Sequence, residues 1–559
     1  MIDRRQLLAG AGALAGHAAV GGPRGSGSRD EQDMPPESLD VDRLLAHGGV
    51  ADIAGAIARH EVTASEVVGA AARRMHRLDG IFGAVIEMNP DAAGIARELD
   101  REVTRGELRG PLHGVPVLLK DAIATGDRMR TTAGSLALAE NRVVEDASLV
   151  KRLRDAGAVI LGKTNMTEWS NIRDFPQTAG WSDRGGQTRN PYDPAMSPWG
   201  SSSGSAAAVA LGYAPVALGV ETNGSITCPA AACGVVGLKP TVGLVSRVGV
   251  MPVMWTLDSP GPMARTVADI AAVMNVLAHD DPDDPAHGEF GWAAPVASVQ
   301  GRGAGRFADI DYTTALDPDA LQGARLGVCW QLWGMDADAD AVGWEVVERL
   351  RAAGAEIVED AWIPTLEELN VEPGIGAILN AEFSAGMAAF LDRFMPAGPI
   401  RSIADVVAWN EAHADVVFAH GWHAGLVEAV NAMPVDDPYY LWMVEWLVTK
   451  ARDEGVDVAL DAHGLDAIIA PTAPVPTEIV IGGGTDFAGS STLPPSFAGY
   501  PSITVPMGYV RGLPVGLHLF GRAFSEWSLI RLAYAIEQLL DVRMPPALPL
   551  PDGVPGPLR

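Results

Sequence analysis

Cysteine is nearly absent from this chain: Cys228, Cys233 and Cys329 are the three in 559 residues. They are too few for a disulfide scaffold and wrongly spaced for zinc. Positive charge is also scarce, with 41 Lys and Arg against 70 Asp and Glu and a net charge of -29. That balance excludes a nucleic-acid binder, whose basic face must displace counterions from phosphate. The surplus acid serves solubility. The run Asp280-Asp281-Pro282-Asp283-Asp284 lacks the spacing of a calcium loop and reads as a solvated loop, so no metal is expected. There is no internal repeat, and Gly and Pro are plentiful without a period. With 48% hydrophobic and 20% charged residues, the composition is that of an ordered globular protein with a sizeable core and many turns.

What is present concentrates in Gly200 to Pro240, GSSSGSAAAVALGYAPVALGVETNGSITCPAAACGVVGLKP. Small residues and hydroxyls fill a span too short of charge to be ordinary surface. Two clusters, Gly200-Ser201-Ser202-Ser203-Gly204-Ser205 and Thr222-Asn223-Gly224-Ser225, flank an Ala/Val-rich run that suits a buried helix followed by a strand. Asn223-Gly224 adopts positive φ at little cost, so the amides around Ser225 can converge on one point. Such an oxyanion hole contributes roughly 3 to 4 kcal/mol per donor in acyl transfer. A serine among those donors is a candidate nucleophile, but a hydroxyl needs a base, and no histidine lies near either cluster. Lys120 ends the apolar run Gly114-Val115-Pro116-Val117-Leu118-Leu119, a strand that would deliver it to the interior. Desolvation from about 10.4 to about 7.5 costs on the order of 4 kcal/mol and leaves a neutral amine able to act as a base. Lys163 is the rival.

These residues resemble the amidase signature enzymes, serine hydrolases with a Ser–cis-Ser–Lys triad. The likeness needs a lysine after a G-V-P-V strand, a G-S-S cluster, and a T-x-G-S-I cluster about two dozen residues on; Ser225 follows Ser201 by 24. The resemblance implies Lys120 as general base, Ser201 as bridging serine beside a cis peptide, and Ser225 as acyl nucleophile. It implies an oxyanion hole from the amides of Thr222, Asn223, Gly224 and Ser225, supporting roles for Ser202, Thr227 and Lys163, and no cofactor. Gly180 to Asp193, the GSSSGSA spelling and ETNGSITCPAA are similar to the bacterial peptide amidases, with likeness from about residue 50 to 540. Ser203 and Asn223 stand where many members have glycine, and Thr227 where many have arginine. Since that arginine can hold a carboxylate, Thr227 argues against a small dicarboxylic substrate. A cysteine nucleophile at Cys228 would need a differently arranged base, so Cys228 reads as a buried small residue.

The fold expected is α/β: one large domain over 39–545, with a mixed, mostly parallel central sheet covered by helices on both faces. Residues 1–38 resemble a twin-arginine export signal and linker: Arg4-Arg5 precedes a weakly apolar run too short to span a membrane. That implies a periplasmic or extracellular protein. Residues 546–559 form a Pro-rich tail, and 280–320 an irregular insert of the kind that makes lids. From Val50 to about Arg109 the pattern is helical, with Thr63 and Glu66 as a capping box. Val242–Met254 reads as strands and turns, and Asp258–Met263 receives no element. The helical region 366–460 carries Phe383, Phe390, Phe394, Trp409, Trp422, Tyr439, Tyr440, Trp442 and Trp446, which either line a substrate entrance or form the inner stripe of packed helices. His420 and His423 lack a third ligand and read as structural. The reaction expected is amide hydrolysis, on peptide C-terminal amides or aryl amides, by a monomer or homo-oligomer. Carbamate or ester hydrolysis is the alternative, and after it the role of an A-type component in a tRNA amidotransferase.

Overall fold

The computed structural model describes residues 39–174, 177–284, 310–371 and 374–548. The export-signal reading of 1–38, residues 285–309 of the insert and 549–559 of the tail lie outside them. From Asp40 on, the chain forms one compact unit. Its strands are β1 (Val85–Met88), β2 (Pro116–Lys120), β3 (Val159–Thr164), β4 (Trp181–Ser182), β5 (Gly186–Gln187), β6 (Val216–Glu221) and β7 (Val236–Lys239). There follow β8 (Ser259–Ala264), β9 (Arg325–Val328), β10 (Glu356–Val358), β11 (Ala467–Pro471), β12 (Ser502–Val510) and β13 (Leu513–Phe520). All but the β4–β5 hairpin join one sheet in the order β1-β3-β2-β6-β8-β7-β12-β13-β11-β9-β10. Every residue of β2, β3, β6, β7, β8, β11 and β13 is buried. Because successive side chains alternate faces, layers must cover the sheet on both sides.

The sheet is mixed. Parallel pairing occupies two blocks, β3-β2-β6 and β11-β9-β10, and the middle from β6 to β11 is antiparallel. The first block matters most, since β3, β2 and β6 end on one edge with Thr164, Lys120 and Glu221. Carboxyl ends of parallel strands are where ligands bind in such sheets. Pro116 is tolerated in β2 because it is the first residue of the strand. Gly114 before it has φ of 79°, and a Cβ there would lie 2.6 Å from Ile57 Cδ1, so only glycine makes this entry turn.

Three readings need correction. Val85–Met88, inside the stretch read as helical, is the edge strand β1; its four residues between two helices are too few for a period to show. Val242–Met254 contains turns and isolated bridges but no strand. Asp258–Met263 leads into and forms most of β8, a central strand despite Pro260 and Pro262. Two residues apart, these prolines withhold their N–H groups on one side only. Accordingly β8 pairs with β6 along six residues but with β7 only at Met263 and Ala264. The Thr63–Glu66 capping box is present, opening the helix Ala64–Phe82.

The 366–460 region is helical where described, and its aromatics differ in burial. Phe383, Phe390, Phe394 and Tyr440 are buried, whereas Trp422, Tyr439 and Trp442 are about half exposed. The helix Gly374–Phe394 is long and apolar enough to cross a membrane, but half of that window is buried inside the fold, as in a core helix. His420 packs against Trp181 and the buried His423 against Phe418. Among the described residues no three His, Cys, Asp or Glu side chains are grouped to hold a metal.

Candidate active site

Lys120 and Lys163 part company because of register. In the β2–β3 pairing Lys120 lies beside Thr164 and Leu119 beside Lys163, and in-register neighbours share a face. The two lysines therefore point to opposite faces of the sheet. Lys120 Nζ meets Ser201 Oγ at 2.7 Å and donates to the Val220 carbonyl at 3.1 Å. Lys163 instead donates to the Ile123 carbonyl and, at 2.8 Å, to Thr131 Oγ1, away from both serine clusters. Both amines are fully buried. Desolvation pulls Lys120 down to about 7, against the opposing fields of Asp258 and Glu221. It pulls Lys163 to about 8, opposed chiefly by Asp121.

The serine cluster opens the helix Ser203–Ala210. Ser202, Ser203 and Ser205 spend their hydroxyls on the carbonyls of Val220 (3.2 Å), Trp199 (2.5 Å) and Leu218 (3.0 Å), whereas Ser201 faces Lys120. The peptide bond Gly200–Ser201 is cis, and the Ser201 carbonyl accepts the Thr167 amide at 3.0 Å. Gly200 presses so closely on Thr167 that a Cβ would lie 2.4 Å from its Oγ1. Two residues on, Trp169 meets Phe383 edge to face at 6.0 Å, which ties the helical region to this loop.

The second cluster follows β6 as a tight turn. The Ser202 amide donates to the Ser225 carbonyl at 3.1 Å, so the two clusters are joined through backbone. Glu221 Oε2 accepts the amides of Ile226 (2.7 Å) and Thr227 (2.9 Å) and the Thr227 hydroxyl at 3.1 Å. This carboxylate caps the helix Thr227–Ala232, where anions are favoured. Thr222 Oγ1 donates to Asp258 Oδ1 at 2.6 Å, and Asn223 Oδ1 accepts the Thr492 hydroxyl at 2.7 Å. Among the described residues the amides of Asn223, Gly224 and Ser225 meet no acceptor, so they are free for an incoming oxygen. Ser225 retains 6% of its surface. Cys228 lies buried beneath the turn, and burial pushes its thiol far above the ordinary range, so it stays protonated.

Gly224 has φ of 74°, and a Cβ there would stand 2.8 Å from Cys228 Sγ and 3.0 Å from Thr492 Oγ1. Gly224→Ala is therefore expected to tilt the free amides and lower kcat by about 100-fold, the size of losing one oxyanion donor, with KM little changed. A variant with wild-type kcat would show that this turn does not touch the reaction.

Sequence pattern does not single out Asp258, Glu221, Thr167 or Thr492. Asp258 and Thr492 meet the turn from 36 and 269 residues away in sequence, and no local pattern carries that information. Glu221, four residues before Ser225, is within reach of a capping argument.

Residues 66–530 match the family model described as amidase. A probable amidase of Arabidopsis thaliana is 36% identical over 505 residues, covering 89% of this chain and 91% of that protein. The A-type component of the glutamyl-tRNA(Gln) amidotransferase of Chloroflexus aurantiacus is 35% identical over 506 residues, covering 89% and 97%. Among solved structures, the native peptide amidase from Stenotrophomonas maltophilia is similar with a TM-score of 0.82 and 45% identity, covering 90% of this chain and 99% of that one.

Proposed function

Because this chain belongs to the amidase signature family, a hydrolase of carbon–nitrogen bonds other than peptide bonds, we propose that it cleaves the C-terminal amide of peptides through an acyl-serine intermediate on Ser225. The observation that carries this reading is the dry pairing of Lys120 with Ser201, beside a turn whose amides are unclaimed. Uncharged, Lys120 has one lone pair; Ser201 donates its proton to Nζ while Nζ still donates to the Val220 carbonyl. Ser201 then takes the proton of Ser225 as Ser225 Oγ attacks the carbonyl carbon. The C–N bond breaks, and Lys120 returns the proton through Ser201 to the leaving amine. Water retraces the path to free the acid. The amides from Thr222 to Ser225 receive the oxyanion, while Ser202 and Thr227 hold the surrounding backbone.

The base must be uncharged. With Lys120 at about 7, kcat/KM should level off above pH 7 and fall below it, approaching tenfold per unit until a neighbouring group titrates. A flat rate from pH 5 to 9 would contradict the mechanism.

The peptide reading draws on the 45% identity with the peptide amidase. A hydrolysis panel of amidated peptides, anilides, carbamates, esters and small aliphatic amides tests it: amidated peptides should have the highest kcat/KM. Preference for anilides or carbamates by tenfold or more would replace it with an aryl amidase or urethanase. The amidotransferase relatives supply a second reading, which co-purification with a partner protein and loss of activity on separation would favour. Export is part of the proposal, and an intact Met1 on protein from its native host would remove it.

A further inference from the structure

Two buried ionisable groups meet the end of β6 without an ion-pair partner. Among the described residues Lys120 Nζ hydrogen-bonds only with Ser201 Oγ and the Val220 carbonyl. Asp258 accepts three hydrogen bonds: Thr222 Oγ1 at 2.6 Å, and the amides of Val253 and Met254 at 2.8 and 3.0 Å. Arg247 acts on Asp258 but makes its ion pair with Asp284. A buried carboxylate is costly where a neutral acceptor could serve. The register that sets Ser259 opposite Glu221 puts Asp258 opposite Thr222, at the start of the turn that carries Ser225. Val220, which holds the lysine, is two residues away.

We propose that Asp258 is a positioning residue for this reaction, whose carboxylate anchors the Ser225 turn through Thr222 and supplies the buried negative charge that Lys120 works against. The inference rests on Lys120 being the base. Among the carboxylates acting on Lys120, Asp258 has the largest effect and Glu221 the next; both favour the ammonium, and burial overrides them. Asp258 is itself pushed up to about 6 by burial, against its three hydrogen bonds and Arg247. Glu382, on the helix Gly374–Phe394, feels Asp258 and is pushed up to about 7, chiefly by burial. Glu221 also acts on the buried Lys239 and favours its ammonium. Charged above about pH 6, Asp258 holds the proton on Lys120; neutral, it releases that hold.

Asp258→Asn tests this with the hydrogen bonds kept, since its Oδ1 can accept the amides of Val253 and Met254 while Nδ2 donates to Thr222 Oγ1. The midpoint of kcat/KM against pH should move down by roughly half a unit or more. Thr222→Val, which loses the hydroxyl and leaves the charge, should lower kcat while shifting the midpoint far less. An Asp258→Asn midpoint equal to that of the unaltered enzyme would overturn the proposal. A flat profile in the unaltered enzyme, or activity retained in Lys120→Met, would instead overturn the assignment of Lys120. If Asp258→Asn does not fold, the acid limb of the unaltered enzyme decides. Protonation of Asp258 should flatten the slope of log kcat/KM near pH 6, with the flattening retained in Glu382→Gln. A straight unit slope down to about pH 5 overturns the proposal.

Discussion

Ser225→Ala is expected to lower kcat by about 10⁴- to 10⁶-fold, the size of removing the nucleophile from a cooperating set, without unfolding the protein. The alanine keeps the Ser225 amide and the bond from Ser202 to its carbonyl, so binding survives while the bond-forming atom is gone. KM should stay within a few-fold. A fluorophosphonate should label the wild type once, at Ser225, and leave the variant unlabelled. Labelling at Cys228, or more than about a hundredth of the wild-type rate in the variant, would assign the nucleophile elsewhere.

Lys120→Met carries the second large effect, a loss of about 10²- to 10⁴-fold from removing the base, together with a melting temperature no lower than wild type by more than a few degrees. The sign follows from linkage. Lys120 is at about 7 in the folded chain against an ordinary value of 10.5. Below 7 the unfolded and folded forms both carry the proton, and folding bears the full cost of a buried ammonium. Between 7 and 10.5 only the unfolded form carries it, so this group's cost to stability shrinks as pH rises. At neutral pH that cost is on the order of 4 kcal/mol. Methionine removes it but strands the Ser201 hydroxyl, at about 1 to 3 kcal/mol, and takes one of two donors from the Val220 carbonyl, which keeps the Ser202 hydroxyl, so the gain is offset in large part. Lys163→Met is the matched control: equally buried but on the other face, it should keep the rate within about tenfold. If Lys163→Met were the inactive variant and Lys120→Met the active one, the face assignment would be wrong.

Local signals carried much of the architecture. The apolar run up to Lys120 forms a strand that ends at that residue, and the Ala/Val-rich stretch between the serine clusters folds as the helix Ser203–Ala210 and strand β6. Asn223-Gly224 makes a turn with positive φ at the glycine. The signals failed where a neighbour overrules the segment itself. β1 is four residues held by β3 at the sheet edge, and β8 is a strand in spite of two prolines because β6 supplies its ladder.

The residues alone determined which groups could take part: hydroxyls beside glycines, a lysine at the end of an apolar strand, no histidine at hand. Composition and short-range pattern state those things, since burial tendency and turn preference are properties of a few consecutive residues. Tertiary structure alone decided which lysine meets Ser201 and that Asp258 stands under Thr222. The first depends on the pairing of β2 with β3, where a shift of one residue exchanges the faces. The second depends on residues 36 apart in the chain lying in register, a distance over which a chain's own pattern holds no memory.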